Sequence, residues 1–459
     1  MKNIKRNLAC LLVLLLAFST VGCEDKQAAI YNKYIETISE ELSNATETKE
    51  IQGSEKNLSG ELVIYTNSFG HIYSTKMAAE KFNEVYPDVK ITLVGSKDLV
   101  AGDEYTLQTT VALMSGKVAD IIDLQYLPYY RYTKSGLFED LYTYIEKDSE
   151  FKEEDYFTNI FKALEYEGGL YSIQFDFWYP ICRLNNRIVK ALDIDISSFE
   201  AVSFNEIHEI YMKSIEEGKA PEDLMISKFF TNGMFDPYEY PVYLDEANNI
   251  SNFNSEGFIE YLKKVKEINW PITINESEFI ESFYSLEMDE NSLMLTDVSM
   301  FIDSRMAEQF SKDSDEVTVF IPWISSDGKK PFQLSDDGPF AIMKDSENKE
   351  LAWEFIKFHI QETDHSETVF RGNFLRGGIP INKKNARQLL EKSFGEGHEE
   401  DIEKIMQWCM SLDNYSMTTN NASLMFVLYE ICQDYYNDLI SAEECARRVQ
   451  ERVEIYLKE

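Results

Sequence analysis

Between Glu61 and Gln125 short apolar runs alternate with stretches of helical period, and this alternation limits the fold more than any other feature of the chain. ELVIYTN (Glu61–Asn67) is an apolar run that closes on polar residues, as a buried strand does. In STKMAAEKFNEVYPDVK, Met77, Ala78, Phe82 and Val85 recur at helical spacing, and Tyr86-Pro87-Asp88 stops the helix. ITLVG (Ile91–Gly95) is the next strand, YTLQTTVALMSGK is a second helix ended by Gly116, and ADIIDLQ (Ala119–Gln125) is a third strand. Strand, helix, strand, helix, strand at this spacing requires a parallel sheet covered on both faces. Such sheets bind ligands outside the carboxyl ends of their strands. Asn67, Ser68, Gln125 and Tyr126, just past two of those ends, are therefore the expected rim of a site.

The amino terminus sets the address. Lys2, Lys5 and Arg6 precede an apolar run from Leu8 to Phe18, then small residues, then Cys23. That is the order of a secretory signal, and the run is shorter than the roughly 20 residues a bilayer span needs. Val21-Gly22-Cys23 resembles a bacterial lipobox, with Thr20 where that pattern usually has Leu. The expectation is a signal peptide over 1–22, lipidation of Cys23, and a mature chain held outside the cytoplasm on a membrane it does not cross. Residues 24–57 are polar and charged, with one weakly amphipathic stretch, IYNKYIETISEEL, and read as a spacer.

Composition excludes several classes of partner. The formal charge is −37, and removal of residues 1–22 takes three cations and no anions, leaving −40. Such a balance repels nucleic acid and anionic lipid surfaces. At 459 residues and 44% apolar, the chain can bury two cores. Cys182, Cys409, Cys432 and Cys445 remain in the mature chain; an oxidising exterior permits a disulfide, but the spacing does not say which. No CxxC or HExxH spacing occurs, so neither a metal nor a cofactor is expected. No GxSxG elbow, P-loop or GxGxxG followed by an acid occurs, and with 81 acids chance carboxylate pairs such as Asp336/Asp337 are expected, so no enzyme is inferred.

Several segments, taken in order, carry a resemblance. AAEKFNEVYPDVKITLV, ALMSGKVADIIDL, YTKSGLFEDL, EGGLYSIQFDFWYPICRLNNRIVKAL, SLMLTDVSMF, VFIPWISSDGK, GPFAIMKDSENKELAWEFIKF and LRGGIPINKK follow one another collinearly. This succession resembles family 1 of the bacterial extracellular solute-binding proteins, the receptors of ABC importers. Two positions depart from the family pattern: Gln174 replaces a proline, and Met300 stands where many sugar binders have tryptophan.

The resemblance implies an α/β, two-lobe, periplasmic-binding-protein-like fold of type II. Each lobe would hold a mostly parallel sheet flanked by helices, with three hinge crossings. Lobe 1 would comprise 58–173 plus 338–364, and lobe 2 would comprise 174–337 plus 365–459. The implied function is a monomeric, lipid-anchored receptor that delivers a small polar ligand, a carbohydrate, to the membrane subunits of a permease. A surface sensor without transport and a secreted carbohydrate-active enzyme are the alternatives.

A sugar needs flat apolar faces for its C–H side and planar polar groups for its hydroxyls. FDFWYP (Phe175–Pro180) supplies both at the first crossover. Period two sets Phe175, Phe177 and Tyr179 on one face, and Asp176 with Trp178 on the other. Asp176 and Trp178 are expected in the cleft, with Phe177 and Tyr179 as alternates. Asp297 and Ser299 follow the LMLT strand where family members contact ligand. Trp323 follows Ile321-Pro322, Asp337 precedes the second crossover, and Arg376 lies near the third.

Overall fold

In a computed structural model of the protein the described residues are 56–67, 74–97, 103–116, 119–125, 127–194, 199–218, 225–226, 239–268, 292–298, 318–334, 339–361, 378–415 and 422–458. The signal segment and Cys23 lie outside them, and no described helix is long and apolar enough to cross a membrane.

The chain opens with β1 (Gly60–Thr66), α1 (Ser74–Val85), β2 (Val89–Gly95), α2 (Asp103–Met114) and β3 (Ile121–Asp123). Then come β4 (Asp176–Trp178), β5 (Pro180–Asn185), α3 (Phe204–Glu216), β6 (Met225–Ile226), β7 (Leu244–Asp245), β8 (Ile250–Ser251) and α4 (Glu256–Glu267). The remainder holds β9 (Ser292–Val298), β10 (Thr318–Pro322), β11 (Pro331–Leu334), β12 (Phe340–Ile342), α5 (Lys349–Gln361) and β13 (Ile379–Pro380). It ends with α6 (Lys383–Phe394), α7 (Glu399–Met410), β14 (Asn414–Tyr415), α8 (Ala422–Tyr436) and α9 (Ala442–Tyr456). Helix starts follow capping chemistry. Asn382 accepts from the backbone N–H groups of Lys384 and Asn385, Ser255 from that of Phe258, and Ser441 from that of Glu444.

The first sheet runs β12-β3-β1-β2, with β1 parallel to both β2 and β3 and β12 antiparallel at the edge. This is the sheet that the opening alternation demands. Leu62 and Ile64 of β1 meet Ala78 and Phe82 of α1 and Phe355 and Ile356 of α5 in one cluster, while Tyr65 and Ile122 face Tyr105 and Leu113 of α2 in another.

The second sheet runs β10-β5-β9-β6, and here the expectation of mostly parallel pairing fails. β5 is antiparallel to both β9 and β10, and only β6 with β9 is parallel.

A third sheet, β13-β4-β11-β14, joins the segments expected to cross between lobes. Phe177 lies opposite both Leu334 and Ile379. Ile173 and Phe340 exchange two backbone hydrogen bonds of 3.0 Å, and Ile381 N–H donates to Phe175 O at 2.7 Å. Residues 379–381 are thus held to the first crossover by backbone pairing.

Apolar packing distributes the carboxyl-terminal part over two clusters. Because β13 pairs with β4, it carries α6 and α7 with it, and Ile379, Leu390, Ile402, Ile405 and Leu412 join the first cluster. Leu424 to Val453 pack with β5, α3 and α4 in the second. The segment after Asp401 is not helical throughout, since β14 interrupts it.

Lys357 is the unexpected member of the first lobe's interior. It sits among the apolar positions of α5, 4% exposed, with Nζ 2.6 Å from Asp148, 3.1 Å from Glu150 and 3.1 Å from Glu354. Lys56, from the stretch read as spacer, closes the cluster at 2.7 Å from Glu150 and 2.8 Å from Glu354. Burial opposes the Asp148 charge, but hydrogen bonds from Lys357, the Trp353 indole and the Glu150 N–H outweigh it and hold its carboxyl at about 2. A depressed carboxyl contributes stability that is complete above its ordinary value of 3.8 and is lost as pH falls through about 2. Lys357→Met strands the Asp148 charge and should cost about 3–5 kcal/mol in urea unfolding near neutral pH. The acid loss between about pH 4 and 2 should shrink in the variant; an unchanged acid profile would show that the pair contributes nothing.

Candidate functional site

The site begins where the first sheet ends. Thr66 closes β1 and Asp123 closes β3. The Asp123 carboxylate, fully buried, accepts from Thr66 Oγ1 at 2.8 Å and Thr75 Oγ1 at 3.1 Å through one oxygen, and from the Gln125 N–H at 3.0 Å through the other. Just beyond the strand ends, one residue after Thr66 and two after Asp123, Asn67 Nδ2 donates to Gln125 Oε1 at 2.7 Å. Asn67 and Gln125 thus meet as the strand-end rule requires. Asp123, Thr66 and Thr75 had not been singled out, although an acid inside the apolar run ADIIDLQ was a visible signal.

Burial pushes the Asp123 carboxyl up against these three hydrogen bonds. Burial, then the Asp123 carboxylate, hold the phenol of Tyr105 on α2 well up. Gly95 makes the close strand spacing here possible. Its φ is +113°, and a Cβ would stand 2.3 Å from Thr66 O.

The second part of the site is the pleat at the first crossover. Phe175, Phe177 and Tyr179 all enter the first apolar cluster. Phe177 meets Phe157 at 5.5 Å, edge on, and Phe175 meets Phe340 at 5.0 Å. The alternates Phe177 and Tyr179 are therefore core residues. Asp176 and Trp178 take the opposite face. Asp176 is half-buried and accepts from the Gly378 N–H at 3.1 Å. Gly378 can approach so closely because a Cβ there would lie 2.8 Å from Phe177 O. Trp178 is 4% exposed, belongs to none of the apolar clusters, and its indole N–H has no partner among the described residues. A buried donor without an acceptor is costly, and it marks a place where an acceptor is wanted.

Register carries the end of β9 to the same region. Asp297 lies opposite Ile181 and Val298 opposite Pro180, two residues beyond Trp178. Only the backbone of Asp297 is described; Ser68, Tyr126, Ser299, Asp337 and Arg376 lie outside the described residues.

Trp323 does not join the site as expected. It is fully enclosed in the second cluster, its N–H bonds Pro180 O at 3.1 Å, and it bridges to Val202. Packing between β5 and the segment before α3 claims the side chain, so it serves as core rather than as cleft wall. No group of His, Cys, Asp and Glu able to hold a metal ion occurs among the described residues.

Asp123 is the residue on which the first half of the site turns. Asp123→Ala orphans two hydroxyls and one N–H and should cost about 2–4 kcal/mol in denaturant unfolding. Asp123→Asn keeps the Gln125 acceptor and can donate to the threonines, so it should lose less than half as much. Equal losses in both variants would show that volume, not hydrogen bonding, matters here.

With this geometry established, comparison with known proteins is informative. No curated protein sequence matches the chain. Solved structures match its fold over most of its length. The sugar-binding protein MalE from Xanthomonas citri is 12% identical, with 87% of this chain and 98% of that chain covered and a TM-score of 0.61. A sugar transporter protein from Rhizobium etli, solved in an open conformation, is 16% identical over 86% and 99%, with a TM-score of 0.58. An ABC substrate-binding protein from Listeria monocytogenes in complex with cycloalternan is 15% identical over 87% and 100%, with a TM-score of 0.54. These likenesses establish the two-lobe α/β architecture. The profile of one family matches residues 72–362, more than half of the sequence. The chain belongs to the bacterial extracellular solute-binding proteins.

Proposed function

We propose that this protein is the receptor of an ABC-type importer and that it captures a carbohydrate between its two lobes. The observation that carries the ligand class is Trp178, a buried aromatic outside the three apolar clusters whose indole N–H has no partner among the described residues, two residues from the half-buried carboxylate of Asp176. An aromatic face, a lone donor and a nearby carboxylate are what a hydroxyl-rich ring uses. The Asn67–Gln125 amide pair at the strand ends of the first sheet would supply matching donors and acceptors. The sugar ligands named for the structural relatives support the same class. Ser68, Tyr126, Asp297, Ser299, Asp337 and Arg376 complete the proposed rim.

The rest of the reading follows from family and sequence. The receptor is monomeric, needs no cofactor, performs no catalysis, and is tethered by lipid at Cys23 so that it can hand ligand to a membrane permease. Contacts from both lobes favour the closed form, because a ligand shifts an equilibrium only by its differential affinity for the two states.

A thermal-shift screen of mono- and oligosaccharides beside amino acids and peptides tests the ligand class. At about 100-fold over its dissociation constant a ligand adds about 2.7 kcal/mol, a melting shift on the order of 5–10 °C. Stabilisation by amino acids or peptides alone would exclude a carbohydrate, and silence across the panel would sink the receptor reading. Trp178→Ala should weaken sugar binding by about 10–100-fold through the lost stack and hydrogen bond. Trp323→Ala should instead cost about 3–5 kcal/mol of stability, as core tryptophans do. Early unfolding of Trp178→Ala with undiminished affinity would return Trp178 to the core.

Solution scattering checks the motion. The sugar that stabilises the protein should also reduce its radius of gyration. Binding confirmed by calorimetry without compaction would count against closure.

A further inference from the structure

The four described cysteines are all buried and all in the free thiol form, but they are not equivalent. Cys182 lies on β5 in the second apolar cluster and Cys409 on α7 in the first. Cys432 and Cys445 face each other: their Sγ atoms are 3.6 Å apart, across the interface of α8 and α9. These two helices form a hairpin whose connection is only residues 437–441, and each cysteine stands about one turn from it. Folding the hairpin is therefore enough to bring the thiols together, with no long loop to close.

We propose that Cys432 and Cys445 are joined by a disulfide in the exported protein, as a permanent staple of the carboxyl-terminal hairpin. The family is extracellular, and disulfides persist outside the cytoplasm. Both side chains are 0% exposed, and burial pushes the Cys432 thiol well up. The folded, reduced hairpin is thus inert to oxidants, and the bond forms while the chain folds.

The partner in the reaction is a small-molecule or protein disulfide. The Cys432 thiolate, having lost its proton, attacks one sulfur of that disulfide and releases one thiolate, leaving a mixed disulfide. The Cys445 thiolate then attacks the Cys432 sulfur, closes the S–S bond and releases the second thiolate. The two cysteines lose two protons and two electrons, and the carrier disulfide is reduced to two thiols. Once closed, the bond is sealed within the packing of Leu428, Ala446 and Val449.

The test uses the full chain, unfolded under reducing conditions and refolded in a buffer of reduced and oxidised glutathione. It is then alkylated in denaturant without reductant and mapped by proteolysis and mass spectrometry. Cys432 and Cys445 should escape alkylation and appear in one linked peptide pair, with Cys182 and Cys409 alkylated. Reductant present throughout refolding should lower the melting temperature by about 5–10 °C, the loss expected for a loop of this size. The double variant Cys432→Ala/Cys445→Ala should melt at one temperature with or without reductant. Alkylation of both Cys432 and Cys445 after refolding with oxidised glutathione would overturn the proposal, as would a bond from either to another cysteine. Exposure of the already folded, reduced protein to oxidised glutathione should leave both thiols unlinked. Linkage there at the rate seen during refolding would overturn the order of folding and oxidation.

Discussion

The pleat of five residues, Phe175 to Tyr179, is the constraint on which the rest of the molecule depends. Alternate side chains of an extended segment must point opposite ways. Three aromatics on one side lock the strand into the first cluster, and this alone fixes Asp176 and Trp178 on the other. The same strand is paired on both edges, by β11 and β13, so the segments expected to pass between lobes are tied to one backbone. A slip of one residue would bury the carboxylate and expose three rings, which is why the register is strongly held.

What the sequence made legible was periodicity. The three parallel strands of the first sheet, α1 and α2 follow from apolar spacing, and the two faces of FDFWYP follow from period two. Lys357 on α5 was not legible, because a lysine inside an apolar face is recognised only once Asp148, some two hundred residues away, is beside it. Asp123 stands out as an acid in the apolar run ADIIDLQ, but its donors, from β1, from α1 and from its own strand end, are known only once the sheet is formed. Trp323 shows the reverse error. A tryptophan in a loop after Ile-Pro suits a cleft, and only the packing against Val202 reveals a core residue. The antiparallel second sheet escaped for a related reason, since short strands separated by long stretches leave pairing direction undetermined until their partners are known.

The polar groups of the two half-sites stand in different energetic states. Asn67 and Gln125 already share one hydrogen bond, from Asn67 Nδ2 to Gln125 Oε1, so a ligand that takes over either of those two atoms breaks a bond to make one. Trp178 offers a donor that no described group accepts, so an oxygen placed there gains a hydrogen bond without breaking one. In the proposed site the affinity per contact should therefore be greatest at β4.

That division of labour suits a receptor that must also release its ligand. A cleft whose donors and acceptors were all unpaired would be destabilised when empty and would close on any polar solute. A cleft whose groups were all mutually paired would gain too little from ligand to shift the lobes. The first half-site is held rigid by the buried Asp123 network, and the second by the aromatic face of the crossover strand. In the proposed receptor, rigid half-sites leave little local rearrangement on binding, so the free energy of ligand capture would appear as lobe closure.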